Sequence, residues 1–334
     1  MSIKIGLMGF GVIGRKLYSE SLKGETFDVK AICDIGEPKI LTHLCQKEFS
    51  NTKDLVFEDN YFLCSNNKAR YFRANNPGDV AWDLFDIDFV VDCTRKFRLQ
   101  KHINKHLQSG AKKVIISSLP KDEIDRLVVY GVNDDSINEN DKSISAGSST
   151  MNALSILLDS LVHLGIESIN MTTIHSYTSD QSLQDVAGTD FRCSRSASEN
   201  IIPNNSEVEK WITDLFPDLT GKVNCNALNV PVQKGSMLDL SISFSKNDIE
   251  INDINDIIAE VSEKKSTIIG VTNDPIVSSD IIGDPRSIVF DASATMKAGK
   301  NLIKVLGWYD NGHCHAIRIL DIIKKYNQLE GLNR

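Results

Sequence analysis

The chain has 334 residues, of which 41% are hydrophobic and 25% charged, and a formal net charge of −8. That length favours two domains, each large enough for its own core, and the composition is that of an ordinary soluble globular protein. The acidic balance argues against nucleic acid or an anionic membrane as the main partner, so an anionic substrate has to be held by a local cluster of donors working against the overall field.

Ile3–Met8 reads as a short apolar strand ending in glycines. The first residues lack a charged start, a long apolar centre and a small-residue cleavage site, so no signal peptide is expected, and no apolar run is long enough to span a bilayer. Val12–Leu22 has helical character, Val29–Cys33 is a second strand ending in Asp34, and Ile40–Gln46 is helix-like. Residues 50–80 are polar and irregular, with short β-type pieces at Tyr61–Cys64 and Arg70–Arg73. Phe89–Val91 and Lys113–Ile116 are β-branched runs suited to buried parallel strands. Strands alternating with helices predict an α/β domain with a doubly wound parallel sheet of the Rossmann type.

The style changes near residue 148. Thr150–Leu164 reads as a helix, and strands are expected at Ile169–Ile174, Ala227–Pro231, Met237–Phe244, Thr267–Val271, Ser287–Phe290 and Leu302–Trp308. A long loop at 177–203 and helices near 207–215 and 252–263 separate them. Clustered strands with few helices predict an α+β domain, its sheet covered on one face. The last segment, Ala316–Tyr326, carries apolar residues at helical spacing. The division expected is therefore 1–148 for a dinucleotide-binding domain, 149–313 for a catalytic domain, and 314–334 for a helix packing back on the first. The seven cysteines (Cys33, Cys45, Cys64, Cys93, Cys193, Cys225 and Cys314) include no close CxxC pair. An odd count without such pairs points to reduced thiols in a cytoplasmic protein rather than disulfides or a metal site.

Gly9-Phe10-Gly11-Val12-Ile13-Gly14 fits the pattern GxGxxG. Glycines are common in turns, but this run follows a strand, opens a helix, and has Asp34 at the end of the next strand, the context of a dinucleotide site. Gly9 permits the tight turn, Gly11 lets the backbone approach a pyrophosphate, and Gly14 lets helix and strand pack closely. The helix N-terminus offers free N–H groups to the phosphates. Asp34 is suited to accept hydrogen bonds from the adenosine ribose and repels a 2′-phosphate, which favours NAD over NADP.

Residues 145–152 read Ser-Ala-Gly-Ser-Ser-Thr-Met-Asn, and His175 follows in Thr172-Thr173-Ile174-His175-Ser176-Tyr177-Thr178. Together with Gly9–Arg15, Asp34, Thr178–Gln181, Asn200–Pro203 and Trp308–Asn311, in matching order along the chain, these segments resemble the glyceraldehyde-3-phosphate dehydrogenase family, with erythrose-4-phosphate dehydrogenase the near neighbour. The resemblance implies an NAD-dependent, phosphorylating aldehyde dehydrogenase. A cysteine thiolate, assisted by a histidine, attacks the aldehyde; hydride passes to NAD; inorganic phosphate releases the resulting thioester as an acyl phosphate. It also implies a homotetramer, with the loop at 177–203 near cofactor and subunit contacts. Carried over by position, Ser149 and His175 are the catalytic pair, Thr94 and Asn311 join the glycine run and Asp34 at the cofactor, and Asn311 holds the nicotinamide amide. Ser148, Thr150 and Arg195 stand where the family holds the attacking phosphate, Thr178 and Asp180 around the substrate phosphate, and Ser206-Glu207 in place of a threonine-glycine pair.

The departures are as informative. Serine replaces the nucleophilic cysteine at 149. Asn229 replaces a family arginine, Met8 an asparagine, Val12 an arginine, Arg95 a small residue close to the dinucleotide, and His315 a tyrosine. Cysteine is a few per cent thiolate near neutral pH, whereas a serine hydroxyl is essentially all protonated. Three readings follow: a cysteine enzyme whose nucleophile has been exchanged for serine, an NAD-binding relative with a regulatory or scaffolding role, or a site turned to another NAD-dependent reaction through His175. The family substrate implied is glyceraldehyde 3-phosphate, and the departures equally suit a dehydrogenase for a different aldehyde. Cys193, in the long loop beside Arg195, reads as an inert thiol.

Overall fold

A computed structural model describes residues 2–179, 181–188, 190–246 and 248–332. The chain divides into two compact units, Met1–Ser148 with His315–Arg334, and Ser149–Cys314.

The first unit contains β1 (Ile3–Met8), α1 (Val12–Ser21), β2 (Phe27–Asp34), α2 (Pro38–Glu48), β3 (Val56–Glu58), β4 (Tyr61–Cys64), β5 (Asn67–Arg73), β6 (Phe89–Asp92), α3 (Gln100–Gln108), β7 (Lys113–Ile116), β8 (Arg126–Leu127) and β9 (Ser143–Ser145). They form one nine-stranded sheet in the order β3-β4-β5-β2-β1-β6-β7-β9-β8. From β5 to β8 every pairing is parallel. The period-two alternation of these strands serves two cores. Ile5, Leu7, Val29, Phe89, Val91 and Ile115 face one cluster, covered by Leu17 and Tyr18 of α1, Leu41 and Cys45 of α2, and the C-terminal residues Ile319, Ile323 and Tyr326. Met8, Ala31, Val90, Val114 and Ile116 face the other, which holds Trp82 and Ile103 of α3. Burial on both faces is why the central strands read as continuous apolar runs rather than alternating ones.

Within 50–80, the β-type pieces expected at Tyr61–Cys64 and Arg70–Arg73 are β4 and the end of β5, while the region is more regular than expected. β5 pairs in parallel with β2, and β4 and β3 extend the edge antiparallel, so the doubly wound sheet is mixed at this side. The tight connections rest on left-handed Asp59, Asn60 and Ser65 (φ 49°, 63° and 51°), short polar side chains among which Asp and Asn tolerate that conformation best. α3 also went unforeseen, because of its residues only Ile103 and His106 are buried and no apolar stripe marks it.

The second unit contains α4 (Ser149–Leu161), β10 (Ile166–Ser176), β11 (Ile202–Asn205), α5 (Val208–Leu215), β12 (Val223–Val230), β13 (Ser236–Phe244), α6 (Ile251–Lys264), β14 (Ile269–Thr272), β15 (Ile288–Ala298) and β16 (Leu302–Tyr309). The seven strands run β11-β12-β10-β13-β16-β15-β14. α4 touches α5 and α6 and packs on β13, β15 and β16, while α5 lies on β12 and α6 on β14 and β15. The helices thus form one layer on one face. Along β13 the residues alternate between buried and half-buried, the signature of a sheet with one covered face. β15 runs on to Ala298, well past the expected Phe290; beyond Asp291 its residues are mostly small or polar and only Thr295 is buried, so no apolar run marks the extension. A final helix, α7 (His313–Leu332), supplies the C-terminal residues of the first unit's core. No helix among the described residues is long and apolar enough to cross a membrane.

The glycine run at the head of α1 gives a direct test. A Cβ on Gly14 lands 2.1 Å from the carbonyl oxygen of Gly9, whereas one on Gly11 meets nothing within 4 Å. Gly14→Ala is expected to destabilise the protein by about 1–3 kcal/mol or more, and Gly11→Ala to leave stability within about 0.5 kcal/mol, both read from urea unfolding.

Candidate functional site

The first unit gathers its candidate cofactor residues at the C-terminal ends of β1, β2 and β6. Gly9 takes φ +97°, and a Cβ there meets the backbone of Cys93 and Cγ2 of Thr94 at 3.2 Å. The Gly9 amide donates to the Cys33 carbonyl and the Cys93 amide to the Met8 carbonyl, both at 2.7 Å, so the turn is pinned from either side. Asp34 then ties two loops together. One carboxylate oxygen accepts from the Phe10 amide at 2.6 Å and the other from the Gly36 amide at 2.7 Å. The Tyr71 hydroxyl of β5 lies 2.6 Å from the Gly36 carbonyl oxygen and 3.0 Å from that of Asp34. Gly11 stands at the N-cap of α1 with open space where a side chain would be, and Val12 beside it is exposed. This is the cradle a pyrophosphate requires: bare backbone, a helix N-terminus, and a carboxylate at the neighbouring strand end. Phe10 and Ile13 contribute through the backbone, since the Phe10 ring is fully buried against Tyr18 and Phe62 and Ile13 packs on the same core.

Thr94 is placed by a buried relay. Its amide and hydroxyl both donate to Oδ1 of Asp92, at 2.8 and 2.6 Å. Oδ2 of Asp92 lies 3.3 Å from Nε2 of His106, whose Nδ1 accepts from the Trp82 indole N–H at 3.1 Å. The indole is a donor only, so the proton of a neutral His106 sits on Nε2, facing the carboxylate. Beyond Thr94, exposed Arg95 adopts φ +59°, the left-handed conformation suited to the small residue that the family resemblance places there. The charge of Arg95 acts on His315. Nε2 of His315 donates to the Ser117 carbonyl at 3.0 Å, while its Nδ1 is buried with no hydrogen-bond partner. Burial, and secondarily Arg95, push the imidazole down to about 4.

The second unit carries the residues expected to be catalytic. Ser149 and Thr150 are the first residues of α4 and both are buried, where a helix N-terminus favours developing negative charge. His175 lies near the end of β10. Its Nδ1 is 2.6 Å from the Ser176 carbonyl, an acceptor only, so Nδ1 carries the proton and Nε2 is the basic nitrogen. The elements meet through Tyr309 at the end of β16. Its fully buried hydroxyl lies 2.9 Å from Oγ1 of Thr150 and 2.7 Å from Oγ1 of Thr173, and the edge of its ring faces the His175 ring with centroids 6.3 Å apart. Burial raises the phenol to about 12, so it remains a neutral hydrogen-bonding hub. Asn311 accepts from the Ser176 hydroxyl at 3.2 Å, which puts it beside the strand end that carries His175.

The residues expected at the phosphates are only partly gathered. Thr150 stands beside Ser149, and Ser148 precedes them half-buried. The Thr178 amide donates to the Gln181 side chain at 3.1 Å. Asp180 lies outside the described residues. Arg195 is exposed and paired with Asp185 at 2.9 Å. Ser206 is half-buried ahead of α5, and Glu207 is exposed at the N-cap of that helix. Asn229 is buried and stands in register with His175 across the parallel pair β10–β12. Tyr309 and Thr173 were within sight in the sequence motifs, but no spacing rule assigns them a shared hydroxyl contact. Among the described residues no group of three or more His, Cys, Asp or Glu is arranged to hold a metal ion.

Comparison with known proteins decides the family. The family model for the glyceraldehyde 3-phosphate dehydrogenase NAD binding domain matches residues 3–100, and that for its C-terminal domain matches residues 148–311. The chain belongs to the glyceraldehyde-3-phosphate dehydrogenase family. It is 34% identical to a glyceraldehyde-3-phosphate dehydrogenase of Priestia megaterium over 99% of this chain and 100% of that one. It is also 34% identical to one of Borreliella burgdorferi (97% and 99% covered) and 33% identical to glyceraldehyde-3-phosphate dehydrogenase 1 of Bacillus subtilis (96% and 97%). Membership makes this an NAD-dependent oxidoreductase scaffold, in agreement with the glycine cradle and Asp34.

His315 gives the site a pH signature. Its pKa in the folded chain, about 4, lies below the ordinary 6.5, so between those values the unfolded chain binds more protons and stability is lost as pH falls. The residue alone is expected to make the protein about 2 kcal/mol less stable at pH 5 than at pH 7. Urea unfolding at the two pH values should show that difference shrinking in His315→Gln.

Proposed function

We propose that the chain is built to oxidise an aldehyde to an acyl phosphate through a covalent adduct at position 149, and that serine at this position holds turnover far below that of a cysteine enzyme. The observation that carries the reading is the Tyr309 hydroxyl, which joins Thr150 at the head of α4 to Thr173 on the strand of His175. That contact ties the first turn of α4, where residue 149 lies, to the strand of His175, which supports the reading. Nε2 of His175 accepts the proton as the side-chain oxygen or sulfur of residue 149 bonds to the carbonyl carbon, and the N–H groups of α4 stabilise the oxyanion. Gly9–Gly14 and Asp34 would hold NAD, which when bound would supply the acceptor for the hydride lost from that carbon. Inorganic phosphate then attacks the acyl carbon, residue 149 departs, and His175 returns the proton to it. Thr94 and Asn311 orient the cofactor, and Ser148, Thr150, Thr178, Asp180, Arg195 and Ser206 surround the substrates in this reading.

Serine weakens two steps. Its hydroxyl is protonated at neutral pH, and an oxygen ester is less reactive towards phosphate than a thioester. A second reading, an NAD-binding homologue without turnover, has Ser149 itself in its favour. We further read the protein as a cytoplasmic homotetramer. Support comes from the long loop of the second unit, which carries Leu183, Val186, Phe191 and Ile201 exposed, with Phe191 96% accessible. Apolar side chains so displayed are usual at subunit interfaces.

NADH formation from glyceraldehyde and glyceraldehyde 3-phosphate, with phosphate or arsenate, tests the proposal. Ser149→Cys is expected to exceed the unmodified protein by on the order of 10³-fold or more in turnover. Equal, negligible rates in both, with NAD still bound, support the second reading instead.

A further inference from the structure

The surroundings of Asn229 bear on which aldehyde the site accepts. Asn229 sits opposite His175 in the β10–β12 register and is 7% exposed. Its carboxamide is oriented by a chain of neutral hydrogen bonds. The Asn205 amide donates to Oδ1 of Asn204 at 2.8 Å, and Nδ2 of Asn204 donates to Oδ1 of Asn229 at 3.3 Å. Successive bonds of this kind polarise one another, and this chain turns the nitrogen of Asn229 away from Asn204 as its terminal donor. The neighbouring contacts shown at this end of the sheet are neutral too: the Ser176 hydroxyl to Asn311, and Tyr309 to Thr150 and Thr173. A separate observation concerns Arg195, the cation expected to meet a phosphate. Its guanidinium Nε is 2.9 Å from Asp185, whose other oxygen accepts from the Ser196 amide at 2.8 Å. Those bonds, the Ser196 amide first and Arg195 after it, hold the Asp185 carboxyl below the usual carboxylate range, so the pair stays ionised and self-compensated.

We propose that Asn229, beside His175, selects an aldehyde whose tail is uncharged and bears hydroxyl groups, rather than a phosphate ester. This rests on the dehydrogenase reading above and narrows its substrate class. A neutral amide donor serves a hydroxyl oxygen well. A phosphate dianion, however, loses its hydration on entering and gains no charge-assisted bond from Asn229. The polar tail of a triose or tetrose without phosphate does not meet that cost.

The test compares glyceraldehyde with glyceraldehyde 3-phosphate as substrates of Ser149→Cys, alone and combined with Asn229→Arg. With Asn229 in place, kcat/KM for the plain aldehyde is expected to equal or exceed that for the phosphate ester. Arginine at 229 should shift the ratio towards the ester by about tenfold or more, chiefly through KM. A preference of the Asn229 protein for the ester by about a hundredfold, well beyond one charge-assisted bond, would overturn the inference and leave the dehydrogenase reading intact. If neither aldehyde reacts, the dehydrogenase reading fails, and binding of inorganic phosphate decides the charge of the site. A thermal shift with phosphate confined to the Asn229→Arg protein keeps the neutral site; an equal shift in the unmodified protein overturns it.

Discussion

The carboxylate of Asp34 is the constraint on which the cofactor half depends. It accepts one backbone N–H from the glycine turn and one from its own loop, and so holds the ends of β1 and β2 in a single geometry. Hydrogen bonds to an ionised acceptor are about twice as strong as neutral ones, and here they order a turn that glycine otherwise leaves conformationally free. Tyr71, from a strand the sequence barely announced, braces the same loop through its hydroxyl. The cradle at Gly11 is open because Gly9, Gly14 and Asp34 are each committed to holding the backbone around it.

In the second unit a neutral hydroxyl does the corresponding job. Tyr309 reaches both the first turn of α4 and the strand of His175, and its burial keeps the phenol protonated. The support it gives to Thr150 does not depend on the atom that residue 149 carries. Under the proposed reaction, serine in place of cysteine alters reactivity and leaves that support in place. The departures from the family pattern at Asn229 and Arg95 are of another kind, since each alters the charge of its position.

Much of this was legible in the sequence, and the limits have physical causes. The fold class and the central strands could be read because β1, β6 and β7 are buried on both faces and uniformly apolar. The glycine run could be read because Gly9 and Gly14 meet backbone demands that a side chain would violate, and Gly11 leaves open space at the head of α1. β4 and the end of β5 were read as short β-type pieces and β3 was not, because β3 is a three-residue edge piece that joins the sheet only through β4. α3 was missed because it buries only two side chains. At the site, Ser149, His175 and Asn311 were named through family resemblance, whereas the pairing of Arg195 with Asp185, the hub at Tyr309 and the asparagine chain to Asn229 are contacts between segments distant in sequence. Pattern reading has no access to those.

The central claim is that one carboxylate both shapes the turn and chooses the cofactor. Calorimetric titration of NAD and NADP into the unmodified protein tests it most directly. In the role proposed for Asp34, its carboxylate would accept a ribose 2′-hydroxyl and repel a 2′-phosphate, so NAD is expected to bind about tenfold or more tightly than NADP. Equal affinities, or a preference for NADP, would contradict the account at its foundation.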